Sequence, residues 1–404
     1  MQPAEERSST AESGTESGPQ SGPGSLEDRD RLVKSLELLI GNQRYAEAEN
    51  FIRQFLDFFP EDPELTLRFG ICRLHTDKPD DAMLFFGKAK ELGHPAAGFW
   101  QAFTQRFGKL SAELRHAQLH IERLRRSHFM QYPTEVAFES MTLCNAACQF
   151  CPYPGLERKG EKMSDALIDK LIEDLKEIPD SIPFTISPFK VNDPFLDKRI
   201  FDICSKINRE LPHARIRLFT NGTPLTEANL RKVVPIENLH HLWISLNHHV
   251  KEAYEPLMGL SYDKIRAKLD MVHKAVEDGW FPHEVVISRV GDRTADDMAF
   301  VKFLQETYPR FKPWIIGRGD WVGDIDTGEA MTPPIGCTRW FELSVMATGE
   351  VALCCMDGEG KHVIGDIREQ SVLDIYNAAG FRALREKTAT RLEAGSPCDT
   401  CVYG

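Results

Sequence analysis

The sequence contains no long hydrophobic run and no excess of basic side chains. No apolar stretch approaches the ~20 residues that a membrane-spanning helix needs, and the 404 residues carry a formal net charge of −12. Nucleic acids and anionic membrane surfaces are bound by basic patches, so we expect neither among the partners. The first residues also lack the apolar segment of a secretory signal, and we therefore expect a cytoplasmic location.

Large apolar side chains are almost absent from residues 1–27, which are rich in Ser, Gly, Pro and Glu. Such a segment cannot bury enough surface to offset the entropy that it loses on ordering. The sequence therefore predicts a disordered tail over residues 1–27.

A disulfide framework does not explain the ten cysteines, because disulfides are rare in a chain without a secretory signal. Eight of the ten fall within residues 144–151 and 337–401. In a reducing compartment this clustering indicates metal binding.

Residues 28–126 show a helical pattern that repeats. The recurring positions, 34 residues apart, are Tyr45, Ala48 and Phe51, followed by Pro79, Ala82 and Phe85. A 34-residue helix–turn–helix period resembles tetratricopeptide repeats, which implies a surface able to bind a protein partner. The alternative is a plain helical bundle.

Short β-rich runs alternate with amphipathic helical stretches over residues 135–319. The six runs are residues 135–141, 184–189, 215–222, 241–247, 284–290 and 313–319. Strands that alternate with helices form a parallel sheet with right-handed crossovers. Six units are too few for a closed eight-fold barrel, so the sequence predicts an α/β fold with a partial (βα)6 TIM-like barrel. Ligands should gather at the carboxyl ends of its strands, and residues 320–404 should form a small cluster-binding domain.

Cys144, Cys148 and Cys151 directly follow the first predicted strand. Three thiolates in a short loop can bind three corners of a 4Fe–4S cluster and leave the fourth iron open, as a catalytic cluster requires. The spacing C-x3-C-x2-C, with Phe150 before the last cysteine, resembles the radical S-adenosylmethionine (SAM) superfamily. The alternative is a structural zinc loop that lacks its fourth ligand.

This resemblance implies SAM as a second cofactor. In the family, SAM chelates the open iron, and an electron from a reductase or flavodoxin cleaves SAM to methionine and a 5′-deoxyadenosyl radical. The Gly-Gly-Glu-Pro-like segment of the family corresponds here to Val191-Asn192-Asp193-Pro194. Its glycines are missing, and only Asn192 and Asp193 are carried over as SAM contacts.

The resemblance implies further SAM contacts around the barrel mouth. By the family's pattern Ser245 faces the ribose, and Arg289 faces the SAM carboxylate, a pairing that suits a guanidinium fork. Phe150 borders the adenine, and Asn221 and Asn247 stand at two more strand ends. The alternative for each is a polar strand end that is satisfied within the protein.

Four cysteines beyond the barrel can fully ligate a second metal group. Cys337, Cys355, Cys398 and Cys401 are separated by 18, 43 and 3 residues, and four thiolates suit either a 4Fe–4S cluster or zinc. Residues 320–401 resemble the SPASM/Twitch extension of radical SAM enzymes. Its single-cluster form implies an auxiliary 4Fe–4S cluster here.

Cys354 is left over from this set. It is either a small buried residue or a donor of a hydrogen atom to a substrate radical. Asp320 and Arg318, just beyond the last predicted strand, are polar groups that could surround a hydroxylated substrate. Cys354, Asp320 and Arg318 are therefore the catalytic candidates.

Single-cluster Twitch enzymes include aminocyclitol dehydrogenases and sugar epimerases. The resemblance implies abstraction of a carbinol hydrogen from a carbohydrate- or aminocyclitol-like substrate, followed by epimerisation or two-electron oxidation. One alternative is a maturase that modifies a peptide or protein bound by the tetratricopeptide-like region. Another is a non-catalytic binding scaffold stapled by metal.

Overall fold

The computed structural model describes residues 26–56, 58–328 and 331–402. The chain divides into two compact units, Met1–His116 and Ala117–Gly404. The division falls inside the helix Ala112–Arg125, whereas the sequence placed the end of the helical region at residue 126. Of the predicted disordered tail, residues 1–25 lie outside the described residues, and the first helix begins at Leu26.

The first unit is built from helices. They are α1 (Leu26–Gly41), α2 (Tyr45–Leu56), α3 (Pro63–His75), α4 (Pro79–Glu91), α5 (Ala97–Phe107) and the start of α6 (Ala112–Arg125). Helix α3 begins at Pro63 because Asp62 caps it, accepting hydrogen bonds from the backbone N–H of Glu64 and Leu65 at 2.9 Å each. Ala48 and Ala82, equivalent positions of the predicted repeat, are both fully buried. The helical region is confirmed, and its likeness to tetratricopeptide repeats stays a prediction.

The second unit contains six parallel strands that lie side by side in chain order. They are β1 (Glu135–Phe138), β2 (Phe184–Ser187), β3 (Ala214–Thr220), β4 (Leu239–Ser245), β5 (Glu284–Val290) and β6 (Lys312–Ile316). The helices between them are α7 (Asp165–Leu175), α8 (Ile200–Glu210), α9 (Glu227–Val233), α10 (Lys251–Met258), α11 (Tyr262–Glu277) and α12 (Ala295–Thr307). The predicted α/β fold with a six-stranded parallel core is confirmed.

Three further strands extend the same sheet on the other side of β1. Strand β7 (Glu342–Val345) lies parallel to β1, and β8 (Glu350–Ala352) and β9 (Val363–Asp366) follow antiparallel. Short helices α13 (Val372–Asn377), α14 (Ala379–Lys387) and α15 (Arg391–Ala394) complete the chain. The C-terminal region therefore continues the sheet of the core, because hydrogen bonding to β7 satisfies an edge that β1 would otherwise expose.

Alternate residues of each strand point to opposite faces of the sheet. One face packs against the helices α7–α12 and forms the main hydrophobic core, which includes Leu218, Leu242 and Ile244. The opposite face, called here the inner face, carries the intervening residues, such as Phe219 and Trp243. None of the helices in the described part of the chain is long and apolar enough to cross a membrane.

Candidate functional site

The loop after β1, residues 143–156, carries the first cysteine group and is called here the cluster loop. It is anchored on two sides. The backbone N–H of Asp193 donates to the carbonyl of Leu143 at 2.8 Å, and the N–H of Ala147 donates to the carbonyl of Met258 at 2.9 Å. Gly259, with φ of +64°, ends α10 beside this second anchor, where a Cβ atom would stand 2.9 Å from that of Ala147. A glycine therefore lets α10 approach the loop closely.

The three thiols of the cluster loop lie close enough to influence one another. Burial raises the pKa of Cys144 to about 11. Burial raises the pKa of Cys148 further, and negative charge on Cys151 and Cys144 adds to this shift. Ionising three neighbouring buried thiols requires compensating positive charge, which the irons of a cluster supply. The donor set therefore fits an iron–sulfur cluster.

Asp193, predicted to contact SAM, is buried and holds two strand ends together. Its carboxylate accepts hydrogen bonds from Thr220 Oγ1 and the N–H of Asn221, at 2.9 Å each, and from the N–H of Phe195 at 3.1 Å. Burial raises the pKa of Asp193 to about 6, although these three hydrogen bonds oppose the shift. Asn192 is also buried, and its Oδ1 accepts from the N–H of Lys190 at 2.9 Å.

Asn221 and Asn247 connect further strand ends to the cluster loop. Asn221 Nδ2 lies 2.7 Å from Asn145 Oδ1 and 4.0 Å from Cys144 Sγ. Asn247 Nδ2 donates to Met258 Sδ at 3.2 Å, and the same sulfur accepts from Cys148 Sγ at 3.7 Å. Asn221 therefore approaches a predicted cluster cysteine directly, and Asn247 is connected to another one through Met258.

The guanidinium of Arg289 is buried and fully engaged within the protein. Its Nε donates to Asp297 at 2.7 Å, one Nη to Asp292 at 2.6 Å and the other to the carbonyl of Asn247 at 2.7 Å. A SAM carboxylate would have to replace one of these partners, so the predicted role of Arg289 stays a prediction. Ser245 is half-buried at the end of β4.

The segment after β6 returns from the sheet edge to the cluster loop. Trp321 Nε1 donates to the carbonyl of Phe150 at 2.8 Å. Like Cys144 and Cys151, Trp321 packs against an apolar cluster of Tyr153, Leu156 and Val191. Trp321, Val322 and Gly323 have φ of +50°, +58° and +86°. The left-handed region is strained for a β-branched residue such as Val322, and strain of this kind collects at functional sites.

Asp320 and Arg318 lie in this returning segment but in different surroundings. Asp320 is 8% exposed, and its Oδ1 has no hydrogen-bond partner among the residues that the structure describes. Arg318 is exposed. Asp320 is therefore buried directly before Trp321, whereas Arg318 faces solvent.

A cavity of about 440 Å³ adjoins the cluster loop. Cys148 and Cys151 line it on one side, and Asp324, Ile325 and Glu359 line it on the other. Of the described residues that line this cavity, none is among the predicted SAM contacts. Apart from Phe150, which belongs to the cluster loop, the predicted SAM contacts lie at or just after strand ends.

Members of the second cysteine group lie near one another in parts. Cys337 and Cys398 pack in one apolar cluster with Trp340 and Phe341, and a single turn joins Cys398 to Cys401. Burial raises the pKa of Cys354, with the charges of Cys355 and Cys337 adding to the shift. Burial also raises the pKa of Cys355 to about 11, and the charged groups that act on it are Arg339, Glu342, Glu135 and Lys190. Cys337 therefore influences Cys354, whereas Arg339 and Glu342 influence Cys355, and Lys190 influences both.

A buried polar bridge that the sequence did not predict joins the core to the C-terminal region. Arg158 donates to both oxygens of Glu139, at 2.5 and 3.0 Å, and to the carbonyl of Gly358 at 2.6 Å. Lys190, 2% exposed, donates to the carbonyl of Asp357. In the sequence, this bridge was indicated only by Glu139, a glutamate directly after the apolar residues of β1.

Comparison with known families accounts for both cysteine groups. A model of the radical SAM superfamily matches residues 138–305, and a model of the SPASM iron–sulfur cluster-binding domain matches residues 337–402. The chain carries a radical SAM domain followed by a SPASM domain. Such domains use a 4Fe–4S cluster with SAM and auxiliary iron–sulfur clusters, respectively, which confirms the expected cofactors.

Solved structures share the fold at low sequence identity. SuiB from Streptococcus suis bound to its precursor peptide SuiA is 11% identical, with 80% of this chain and 86% of SuiB covered and a TM-score of 0.52. BtrN in complex with AdoMet and 2-DOIA is 20% identical, covering 66% of this chain and 92% of BtrN with a TM-score of 0.47. AnSMEcpe with bound AdoMet is 14% identical, covering 65% and 84% with a TM-score of 0.48. No curated protein sequence matches the chain significantly.

Proposed function

We propose that this radical SAM enzyme abstracts a carbinol hydrogen from a carbohydrate- or aminocyclitol-like substrate, which leads to two-electron oxidation or epimerisation. The observation that carries the proposal is the buried carboxylate of Asp320, which has one unpaired oxygen and directly precedes Trp321, the residue that donates a hydrogen bond to Phe150 of the cluster loop. An unpaired buried oxygen is costly unless it has a ligand to bind. A carboxylate in this position suits removal of a proton from a substrate hydroxyl group.

When bound, the cluster and SAM supply a 5′-deoxyadenosyl radical. Asp320 Oδ1 accepts the hydroxyl proton of the substrate while the carbinol carbon, having lost its hydrogen atom, becomes a carbonyl carbon. An auxiliary cluster, held by cysteines of the second group such as Cys337, Cys398 and Cys401, would take up the remaining electron. Oxidation thus removes one hydrogen atom, one proton and one electron, and Asp320 accounts for the proton.

Cys354 bears on the choice between oxidation and epimerisation. The sequence assigned Cys355 to the auxiliary cluster and left Cys354 free to donate a hydrogen atom. The proximity of Cys354 to Cys337 supports the opposite assignment, in which Cys354 completes the set with Cys337, Cys398 and Cys401. A thiolate bound to iron has no hydrogen atom to donate, so this assignment favours oxidation.

The test is turnover in heavy water. The reconstituted enzyme is incubated with SAM, a reductant and a panel of cyclitols, aminocyclitols and hexosides, and products are analysed by mass spectrometry. We expect a carbonyl product that carries no deuterium at the former carbinol carbon. A redox-neutral product with deuterium at that carbon would establish epimerisation instead.

A peptide or protein substrate is the second candidate. The helical unit α1–α5 supports it, because repeated helix pairs form surfaces that bind extended segments. SuiB, whose fold resembles this chain, was solved with a precursor peptide. Peptides encoded beside the gene should be offered in the same assay. Formation of 5′-deoxyadenosine above the substrate-free rate with peptides, and not with sugars, would move the assignment to a maturase.

A further inference from the structure

Four aromatic side chains form a continuous surface on the inner face of the sheet, called here the aromatic shelf. Phe189 stacks on Phe219 with ring centroids 4.6 Å apart, Phe219 lies 5.3 Å from Trp243, and Trp243 lies 6.0 Å from Trp314. They follow or belong to β2, β3, β4 and β6. None of the four belongs to the main hydrophobic core among the described residues.

The aromatic shelf is accessible in part, chiefly at its end on the edge strand β6. Trp314 is 48% exposed and Trp243 is buried, and Phe189 and Phe219 are half-buried. An aromatic surface of this length on a strand face is normally covered by packing. Its partial exposure therefore points to a ligand.

Two polar groups at the aromatic shelf have no partner. Trp243 Nε1 and Ser288 Oγ are buried and lack hydrogen-bond partners in the part of the chain that the structure describes. Ser288 belongs to the inner face, because its strand neighbour Ile287 belongs to the core, and it lies opposite Trp314 in the register of β5 and β6. Buried polar groups without partners are rare in native structures and each needs an explanation. A ligand rich in hydroxyl groups satisfies donors and acceptors of this kind.

The charged side chains of the inner face are already paired with one another. Glu135 accepts from Ser187 Oγ at 2.7 Å and from Arg217, and Glu342 pairs with Arg339 at 2.6 Å. The inner face therefore offers neutral hydrogen-bonding groups beside aromatic rings. This combination suits a neutral ring with hydroxyl groups on its edge and C–H bonds on one side, since C–H groups pack on the negative face of an aromatic ring.

The aromatic shelf lies near the carboxyl ends of the strands, where the cluster loop begins. Phe219 precedes Asn221 by two residues, and Asn221 Nδ2 lies 4.0 Å from Cys144 Sγ. A strand rises about 3.3 Å per residue, so two residues span roughly 7 Å along β3. A ring on the shelf therefore lies within a few residues of the cluster loop.

We propose that the aromatic shelf is the subsite for the substrate ring, and that Trp314 packs against the C–H face of a hydroxylated six-membered ring while Trp243 Nε1 and Ser288 Oγ bind its hydroxyl groups. This proposal rests on the proposed function and adds the residues that select the substrate class. An aromatic peptide side chain would contact the rings but would leave the buried polar groups unsatisfied.

The test is saturation-transfer NMR with the anaerobic holoenzyme and SAM. The probes are myo-inositol and methyl β-glucoside for hydroxylated rings and N-acetyltryptophanamide for a peptide aromatic. The variants are Trp314→Ala and Trp243→Phe, with Trp280→Ala as the control, because Trp280 lies on the helical side and stacks with Arg231 at 4.4 Å. We expect transfer to ring C–H protons in the wild type and in Trp280→Ala. Binding should weaken about 2- to 10-fold in Trp314→Ala and less in Trp243→Phe, which keeps an aromatic ring.

Two outcomes overturn the proposal. The first is that the ring probes do not bind to the wild type, or bind equally to Trp314→Ala and Trp280→Ala. The second is that N-acetyltryptophanamide binds in preference to both ring probes. Formation of 5′-deoxyadenosine by the wild type alone is measured on the same sample. Its presence without shelf-dependent binding would mean that this inference fails and the radical chemistry stands, whereas its absence would mean that the proposed function itself fails.

Discussion

At the residue scale, two adjacent cysteines meet different surroundings. The charges of Cys355 and Cys337 add to the raised pKa of Cys354, whereas those of Arg339 and Glu342 act on Cys355, and Lys190 influences both thiols. We therefore expect Cys354, rather than Cys355, to join the remaining cysteines of the SPASM domain. Sequence spacing could not separate them, because their distances to Cys337 differ by a single residue.

Paired alanine variants should identify the ligand. We expect Cys354→Ala to lose the auxiliary cluster, and with it about half of the iron of a protein with two 4Fe–4S clusters, while Cys355→Ala keeps it. Iron analysis and electron paramagnetic resonance of the reduced proteins measure this directly. The reverse pattern would restore Cys355 to the ligand set and leave Cys354 free for hydrogen-atom donation.

Asp320 should matter for turnover because it takes the hydroxyl proton. Asp320→Asn keeps the shape of the side chain but cannot accept that proton, and we expect product formation to fall by about 10²-fold or more. Asp326→Asn, an exposed change in the same segment, is the control and should have little effect. Equal rates for Asp320→Asn and the wild type would remove Asp320 from the mechanism.

At the element scale, the helices of the first unit are joined by a buried carboxylate. Glu49 of α2 accepts hydrogen bonds from Arg53 at 2.7 Å, from Arg73 of α3 at 2.8 Å and from Thr76 at 2.9 Å. Burial on its own would raise the pKa of Glu49, but these hydrogen bonds outweigh it and lower the pKa to about 2. A lowered carboxyl pKa stabilises the folded state above the ordinary pKa, and this stabilisation is lost as pH falls toward 2.

The variant Glu49→Gln should therefore destabilise the protein by about 2 kcal/mol at pH 7, and the difference from the wild type should shrink between pH 4.5 and 2. Thermal unfolding followed by circular dichroism at pH 7 and pH 3 measures this. Glu47→Gln, on the exposed side of the same helix, is the control. A difference that is as large at pH 3 as at pH 7 would contradict the electrostatic explanation.

The buried bridge between Glu139 and Arg158 makes a similar prediction for the second unit. Arg158→Leu leaves the fully buried carboxylate of Glu139 without its main partner, and we expect a loss of about 3 kcal/mol of stability. The double variant Arg158→Leu/Glu139→Leu removes both charges and should recover part of that loss. Chemical denaturation measures all three proteins, and an Arg158→Leu protein as stable as the wild type would show that the pair is not stabilising.

The elements of the core could be predicted because their signals are local. Each of β1 to β6 lies in a run of apolar and β-branched residues between helical stretches, and Cys144, Cys148 and Cys151 were recognisable from spacing alone. The predicted runs extend past some strands. Strand β1, for example, ends at Phe138, and Glu139 directly after it pairs with Arg158. Strands β7, β8 and β9 were missed. Their length does not explain this, since β1 and β2 also have four residues, but β7, β8 and β9 follow one another without intervening helices and so lack the alternation that identified β1 to β6.

The contacts that complete the site are nonlocal, and the sequence did not predict them. Lys190 reaches Asp357 across 167 positions, and Arg158 reaches Gly358 across 200. Arg289 and Asp193 were identified as polar strand ends, but only the structure shows that internal partners occupy them. Tertiary packing, rather than any local pattern, decides which polar side chains stay available to a ligand.

At the scale of the whole molecule, the second unit places two cysteine groups on one continuous sheet. The cluster loop follows β1, and the SPASM cysteines surround β7 and β8, with β7 hydrogen-bonded directly to β1. The buried bridge of Glu139, Arg158 and Lys190 joins the two regions. The two cysteine groups therefore belong to one folded unit, beside neighbouring strands of a single sheet.

Formation of 5′-deoxyadenosine shows whether the cluster loop performs radical SAM chemistry. The anaerobically reconstituted wild type, Cys144→Ala and Cys204→Ala are each incubated with SAM and a strong reductant, and the product is measured by liquid chromatography. Cys204 is buried in α8 and serves as the matched cysteine control. We predict 5′-deoxyadenosine from the wild type and Cys204→Ala and none from Cys144→Ala. Equal product from Cys144→Ala would contradict the role of the cluster loop, and no product from an iron-loaded wild type would leave a metal-stapled binding protein.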